Sequence, residues 1–258
     1  MTVRLHHELI GPADAPVVVM PHALGLDSRM WAPLVFTMRL RFRVLLADIR
    51  GHGSSPVPAG PYRIADLAED FLNLLDRLGI ARASWCGLSL GGLIAMWVAA
   101  HAPHRVERLA LCCTAPRIAA AGGWDERAAA VRRDGITDAL VDNSLERWLT
   151  DDFRRSRPDR SHYCAATLRS CETEGYAACC EALGDADLGP QLTRITAPTL
   201  VLAGIDDPVC PVSAMAEIVS AVEGSTLWTI PGRHLAVLES AERCAPVLAD
   251  HLAAREMS

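Results

Sequence analysis

Ser89 lies in the pentapeptide "GLSLG", where an apolar strand-like segment gives way to a helix-like one. This G-x-S-x-G spacing is that of a nucleophile elbow, in which the serine occupies a sharp turn with a strained backbone. Glycine two residues to either side removes side chains that would collide there. The pattern predicts a serine nucleophile at a helix N-terminus, where the Leu90 amide and the helix dipole face a developing oxyanion. The alternative is a tight turn in which serine is merely small.

A base must take the proton of a serine hydroxyl before that hydroxyl becomes a good nucleophile. With this elbow, the partners follow along the chain in the order serine, acid, histidine. Of nine histidines, His234 and His251 lie beyond the acid candidates. His251 falls inside the last predicted helix, whereas His234 follows the last predicted strand, in "LWTIPGRHLAV". We therefore predict His234 as the base.

The acid should lie on the loop after the strand "PTLVLAG", which reads "IDDPVCP" and offers Asp206 and Asp207. Asp207 precedes Pro208, which favours an extended backbone at the aspartate. Its position three residues after Gly204 also favours it. We predict Asp207 as the acid, with Asp206 as the alternative.

A second oxyanion donor should come from the loop after an early central strand. That loop lies in "VVVMPHALG", and its candidate donor is the backbone amide of Leu24. We expect the neighbouring His22 to pack beneath the turn and to take no part in proton transfer.

Seven strand-like segments alternate with helix-like ones along most of the chain. This alternation predicts an α/β fold with a mostly parallel sheet covered on both faces. Ligands of such sheets bind at the carboxyl ends of the strands, which is where Ser89 stands. The segments are "VRLHHELIG", "APVVVM", "RFRVLLAD", "ASWC", "VERLALCC", "APTLVLAG" and "STLWTI".

The stretch from 117 to 190 breaks the alternation, because its patterns are helical throughout. An all-helical insertion followed by a return to strand–helix alternation predicts a cap over one edge of the sheet. We therefore expect a core formed by 1–116 and 191–258 and a helical cap formed by 117–190.

Composition limits the classes of partner. A net charge of −6 without a long block of one sign makes nucleic acid an unfavourable partner. The first residues lack an apolar stretch of signal-peptide length, and glycines interrupt the uncharged run 83–100, so we expect neither export nor a membrane span. Nine cysteines without CxxC spacing indicate reduced, buried thiols in a cytoplasm and no metal site.

Several longer phrases resemble the 3-oxoadipate enol-lactonases, members of the α/β-hydrolase superfamily, and the likeness covers nearly the whole chain. The phrases are "GLSLGGLIAMWVAAHAPHRVERLALCCTA", "GGWDERAAAVRRDGI", "LERWLT" and "EGYAACCEAL". The resemblance implies an α/β-hydrolase fold and hydrolysis of an enol-lactone to 3-oxoadipate without a cofactor.

The resemblance also implies roles for particular positions. Ser89, Asp207 and His234 match the catalytic triad, and Leu24 and Leu90 match the backbone positions of the oxyanion hole.

In the cap, Trp124 and Arg127 match a Trp-x-x-Arg pattern and are implied to bind substrate. Other cap aromatic residues, among them Trp148 and Tyr176, are expected in the hydrophobic core. Two features depart from the family pattern: the apolar "HLAVLE" that begins at His234, and Arg233 immediately before it.

The sequence thus predicts a serine hydrolase acting on a small lactone or ester. The alternatives are a broad carboxylesterase, a perhydrolase or a C–C bond hydrolase with the same triad, and, from another class, a hydrolase-derived receptor for a small ligand. The serine at position 89 disfavours an aspartate-nucleophile dehalogenase. The oligomeric state is left open.

Overall fold

The computed structural model describes residues 2–120 and 123–253. Seven strands form one sheet in the order β1-β3-β2-β4-β5-β6-β7, in which β1 is antiparallel to β3 and the other pairs are parallel. The strands are β1 (His7–Ile10), β2 (Val17–Val19), β3 (Arg43–Ala47), β4 (Ala83–Leu88), β5 (Val106–Cys112), β6 (Thr199–Gly204) and β7 (Thr226–Ile230). The predicted mostly parallel α/β sheet is confirmed.

Helices cover both faces of this sheet. Every residue of the central strands β4 and β6 is buried, as expected for parallel strands between two helical layers. The helices are α1 (Ala32–Met38), α2 (Ile64–Arg77), α3 (Leu90–His101), α4 (Trp124–Asp134), α5 (Asp138–Trp148), α6 (Asp151–Ser156), α7 (Pro158–Arg169), α8 (Thr173–Gly184), α9 (Val212–Ala221), α10 (Ala236–Glu239) and α11 (Ala241–Leu252). None of the described helices is long and apolar enough to cross a membrane.

Each strand-like segment of the sequence contains a strand, but the predicted ends differ. The first strand begins at His7, whereas the pattern begins at Val3. The last helix ends at Leu252, and residues 254 and 255 of its predicted span lie outside the described residues. The sequence analysis missed α1. Its signal was present, because the apolar residues at 31, 34, 35 and 38 have helical spacing and are all buried.

The helices α4 to α8 follow β5 and precede β6, and the described residues of 117–190 contain no strand. Helix α4 packs along α8, and α5 packs against α7. Residues 121 and 122 of the expected cap, and residues 1 and 254–258 of the expected core, lie outside the described residues. The exact division into core and cap stays a prediction.

Candidate active site

Ser89 occupies the turn between β4 and α3 with φ 57° and ψ −116°, a conformation that L-residues rarely adopt. The flanking glycines are required by close backbone contacts. A Cβ atom on Gly87 would lie 2.1 Å from the carbonyl oxygen of Gly91, and one on Gly91 would lie 2.1 Å from that of Pro21. The G-x-S-x-G spacing therefore reflects backbone packing around a strained serine.

Ser89, His234 and Asp207 form a continuous hydrogen-bonded chain. His234 Nε2 lies 2.8 Å from Ser89 Oγ, and His234 Nδ1 lies 2.9 Å from Asp207 Oδ2. The three residues are 6%, 3% and 5% exposed, so water screens their interactions weakly. His234 Nδ1–H donates a hydrogen bond to Asp207. The Nε2 lone pair of His234 therefore faces the serine hydroxyl and can accept its proton.

Asp207 is held by the loop that follows β6. Its Oδ1 accepts hydrogen bonds from the backbone amides of Val209 at 2.8 Å and Cys210 at 3.0 Å. Asp206 is exposed, and its amide donates to the Gly232 carbonyl at 3.1 Å. The structure therefore brings Asp207, and not Asp206, to His234.

The Cys210 thiol lies close enough to Asp207 and His234 for the three groups to resemble a metal site, with ligand atoms within 4.8 Å of one another. Burial raises the pKa of the Cys210 thiol well above its ordinary value. The hydrogen bonds to Ser89 and the loop amides account for the arrangement without an ion.

The predicted oxyanion donors lie on either side of Ser89. Leu90 is the first residue of α3, so its amide has no partner inside the helix. Leu24 lines the same cavity as Ser89. Within the described residues, neither amide donates to a protein acceptor. Both are thus available to a ligand oxygen.

Two buried histidines support the loop that carries Leu24. The Ile49 amide donates to His22 Nε2 at 2.8 Å, which leaves His22 Nδ1 to donate to the Ala23 carbonyl at 2.8 Å. The Gly25 amide donates to His52 Nε2 at 3.0 Å. Burial lowers the pKa of His22 and lowers that of His52 to about 3, so both rings are neutral acceptors. His22 packs beneath the turn as expected, whereas the contact of His52 with this loop was not predicted from the sequence.

A cavity of about 130 Å³ adjoins Ser89 and His234. Sites for drug-sized ligands begin at about 300 Å³, so this cavity suits a small molecule. Arg127 lies over the Trp124 ring, 5.0 Å from its centroid, and both residues line the cavity. Arg147 also lines the cavity, as do Trp148 and Tyr176, which the sequence analysis assigned to the hydrophobic core.

Residues 117–190 contact the rest of the chain at several places, two of which involve segments that line the cavity. The first is the contact of Gly175 in α8 with Gly51, here called the glycine joint. A Cβ atom on Gly175 would lie 2.2 Å from the Gly51 carbonyl oxygen. Beside it, Tyr176 lines the cavity, and the Cys179 thiol lies 3.8 Å from the Arg50 carbonyl oxygen. The phrase "EGYAACC" is therefore a packing surface, in which small residues let the helix reach the core backbone.

The second place, here called the polar joint, connects residues 146–150 of the cap to residues 233–239 of the core. The Leu235 amide donates to the Trp148 carbonyl at 2.9 Å. Glu239 accepts from the Arg233 amide at 2.8 Å and, through its other oxygen, from the Thr150 amide at 3.0 Å. One carboxylate thus joins the His234 loop to the cap.

The side chain of Arg233 completes the polar joint. Its Nη1 donates to the carbonyl oxygens of Glu146 and, at 3.2 Å, Leu149. These carbonyls lie at the C-terminal end of α5, where a cation is favoured by the helix dipole. Arg233, which departs from the family pattern, therefore binds the cap next to the histidine. It is not among the residues that line the cavity of Ser89.

Comparison with known proteins defines the class of this chain. Residues 16–241 match the family model described as alpha/beta hydrolase fold, so the chain belongs to that family.

Relatives narrow the position within the family. The chain is 38% identical to 3-oxoadipate enol-lactonase 2 of Acinetobacter baylyi and 34% identical to 3-oxoadipate enol-lactonase 1 of the same organism, each over 92% of this chain and 88% of the relative. A crystal structure of the enol-lactonase from Burkholderia xenovorans is 39% identical, with a TM-score of 0.94 and 96% of each chain covered. The resemblance to the enol-lactonase family is thereby confirmed.

Proposed function

We propose that this protein is a serine hydrolase that opens the enol-lactone of 3-oxoadipate through an acyl-enzyme. The observation that carries the proposal is the buried Ser89–His234–Asp207 chain, with a 2.8 Å contact between base and hydroxyl. The similarity to enol-lactonases over 92% of the chain supports the choice of substrate.

In the first step, His234 Nε2 takes the Ser89 proton while Ser89 Oγ bonds to the lactone carbonyl carbon. Asp207 orients the imidazole and stabilises its charged form. The amides of Leu24 and Leu90 donate to the carbonyl oxygen as it becomes an oxyanion.

Collapse of this intermediate breaks the ring C–O bond, and His234 returns its proton to the departing enol oxygen. The leaving group stays attached to the acyl chain, so the cavity must hold an opened product until the next step. His234 then deprotonates a water molecule, whose oxygen bonds to the acyl carbon. The bond from that carbon to Ser89 Oγ breaks, His234 returns the proton to Ser89 Oγ, and the product leaves with a new carboxylate. The free enol converts to the ketone, and no cofactor is needed for any step.

Trp124 and Arg127 are proposed to bind the substrate, with the guanidinium directed to its carboxylate. A guanidinium binds a carboxylate through two parallel hydrogen bonds, and the Trp124 face beneath it holds its plane in position. We further propose that 117–190 acts as the cap of a core formed by 1–116 and 191–258. The free, mostly buried cysteines support action in a reducing cytoplasm.

The test is turnover of freshly generated enol-lactone beside that of a neutral nitrophenyl ester. We expect kcat/KM for the enol-lactone to exceed that for the ester by at least about a hundredfold. Hydrolysis of the ester with no activity on the lactone would assign the site to a broad esterase instead. Binding of the lactone without turnover would favour the receptor alternative.

A further inference from the structure

We propose that Arg147 joins Arg127 in a two-arginine site that binds the carboxylate of an acidic acyl substrate. The inference rests on the proposed function and extends it. It states that the cap selects substrates by their negative charge. Nothing in the sequence pattern distinguishes Arg147 from the other arginines of the cap.

Arg127 and Arg147 both line the cavity of Ser89 and His234, although they come from different helices. Arg127 belongs to α4 and Arg147 to α5. The backbone carbonyl of Arg147 accepts a hydrogen bond from the His234 amide at 3.4 Å, so the backbone of Arg147 lies next to that of the base. A ligand at Ser89 therefore has one arginine from each of two cap helices beside it.

Neither arginine is neutralised by a neighbour. Among the described residues, no carboxylate lies within 4.0 Å of the Arg127 or Arg147 guanidinium. Seven other arginines of the same cap have an acidic partner: Arg132, Arg133, Arg154, Arg155, Arg157, Arg160 and Arg169. The exposed Arg117 has no such partner among the described residues. The two cavity arginines thus form a pair of unmatched positive charges within a cap whose other cations are largely paired.

Two like charges near one another are unfavourable in a half-buried cavity. Burial and the charge of Arg127 both lower the pKa of Arg147, which remains a cation at neutral pH because arginine begins so high. An anion between the two guanidiniums would remove this repulsion. Carboxylate is the anion that fits, because its two oxygens match the donors of a guanidinium plane.

The chemistry of the proposed reaction agrees with such a site. An enol-lactone of 3-oxoadipate keeps one free carboxylate while its second carboxyl group is the ring ester. The protein carries a net charge of −6, so local cations must offset a general repulsion of acidic substrates. Two arginines near the base provide that local field.

The experiment compares Arg147→Met with wild type on the enol-lactone and on its methyl ester, which differ in charge but share the reacting ring. Each 1.4 kcal/mol of lost binding in the transition state is one decade in kcat/KM. We expect the ratio of kcat/KM for the acid to that for the methyl ester to fall by about tenfold or more in Arg147→Met. Arg147→Lys, which keeps a cation, should recover part of the ratio.

Arg133→Met is the matched control, because Arg133 lies exposed on α4 and is paired with Asp134. It should leave the ratio unchanged. A second measurement is competitive inhibition by glutarate, whose Ki should rise about tenfold in Arg147→Met. An unchanged ratio, or equal losses on acid and methyl ester with an unchanged Ki, would overturn the two-arginine site.

A further substrate pair separates this inference from the proposed function. 4-Nitrophenyl hydrogen succinate and its methyl ester test the same charge preference without an enol-lactone. Suppose that the enzyme does not hydrolyse the enol-lactone, but that Arg147→Met lowers the ratio of kcat/KM for the acid to that for the methyl ester on this pair. The proposed substrate is then wrong and the two-arginine site stands. If the lactone is hydrolysed but neither ratio changes, the site is wrong and the proposed function stands.

Discussion

The glycine joint and the polar joint hold the same cap by different means. At the glycine joint, two backbones touch, and a single added Cβ would lie 2.2 Å from a carbonyl oxygen. At the polar joint, the contacts are hydrogen bonds from amides and a guanidinium to carbonyls and to the carboxylate of Glu239. The backbone contact of the glycine joint has no room for adjustment, whereas the hydrogen bonds of the polar joint can lengthen or exchange with water.

The difference indicates that the two joints have different roles. The glycine joint fixes the position of α8 and hence of Tyr176 in the cavity wall. The polar joint lies beside His234 and orients the base relative to the cap. Damage to the first should alter the fold and the cavity together, whereas damage to the second should alter catalysis more than stability.

Among changes at the two joints, the largest effect should follow Gly175→Ala. Overpacking costs roughly 1–3 kcal/mol, and a shift of about 1 Å in a positioned group can cost about a hundredfold in rate. We expect urea denaturation to show a loss of stability in that range and kcat/KM to fall by about a hundredfold on acid and neutral substrates alike.

Gly184→Ala, in the same helix, is the control for Gly175→Ala. Its Cβ would meet its nearest neighbour at 3.2 Å, and alanine is otherwise favoured over glycine in a helix by about 1 kcal/mol. It should therefore be much milder. Similar stability for the two variants would show that the glycine joint is looser than the contact suggests.

A smaller effect should follow Glu239→Gln at the polar joint. The carboxylate accepts from the Arg233 amide and from the amide and hydroxyl of Thr150, whereas an amide side chain offers one acceptor oxygen. We expect kcat to fall about tenfold with a small change in KM, because His234 is held less well.

Glu242→Gln is the control, since Glu242 is exposed on the next helix. The free energy of unfolding of Glu239→Gln should stay within about 1 kcal/mol of that of wild type. A large loss of stability with kcat unchanged would reverse the assignment of roles to the two joints.

The last comparison concerns acid stability at His52, which lies next to Gly51 of the glycine joint. Unfolded histidine takes up a proton below its pKa of about 6.5, whereas burial keeps the pKa of folded His52 at about 3. Wild type should therefore lose stability as the pH falls from about 6.5 toward 3, because the unfolded state binds more protons.

His52→Gln removes this titration while keeping an acceptor for the Gly25 amide. Between pH 7.5 and pH 5, wild type should lose about 2 kcal/mol more than the variant, read from urea midpoints. Equal losses would mean that His52 is protonated in the folded protein.

The sequence predicted those features that depend on local pattern. The seven strands, the elbow around Ser89 and the loop positions of Asp207 and His234 all follow from segment order and short motifs. The helix α1 was missed although its apolar spacing and its early proline are both helix signals. Its 7 residues make only about two turns, so the helical spacing repeats too few times to stand out.

Features that depend on contacts between distant segments could not be predicted. Gly51 and Gly175 touch across more than a hundred residues, and nothing in either local sequence specifies the other. The inward direction of Arg147 and the partners of Arg233 depend in the same way on how the cap settles on the core. Trp148 and Tyr176 were assigned to the core because apolar character alone does not separate a cavity wall from the interior.

The most direct test of the account is kcat on the enol-lactone for Ser89→Ala, His234→Ala and the double variant. Each single change should lower kcat by about 10⁴-fold or more, and the double variant should be little worse, because groups that act as a unit are not additive. Asp207→Asn should also be severe through the wrong histidine tautomer, with Asp206→Asn near wild type as its control. Losses that multiply in the double variant, or greater damage from Asp206→Asn than from Asp207→Asn, would contradict the assignment.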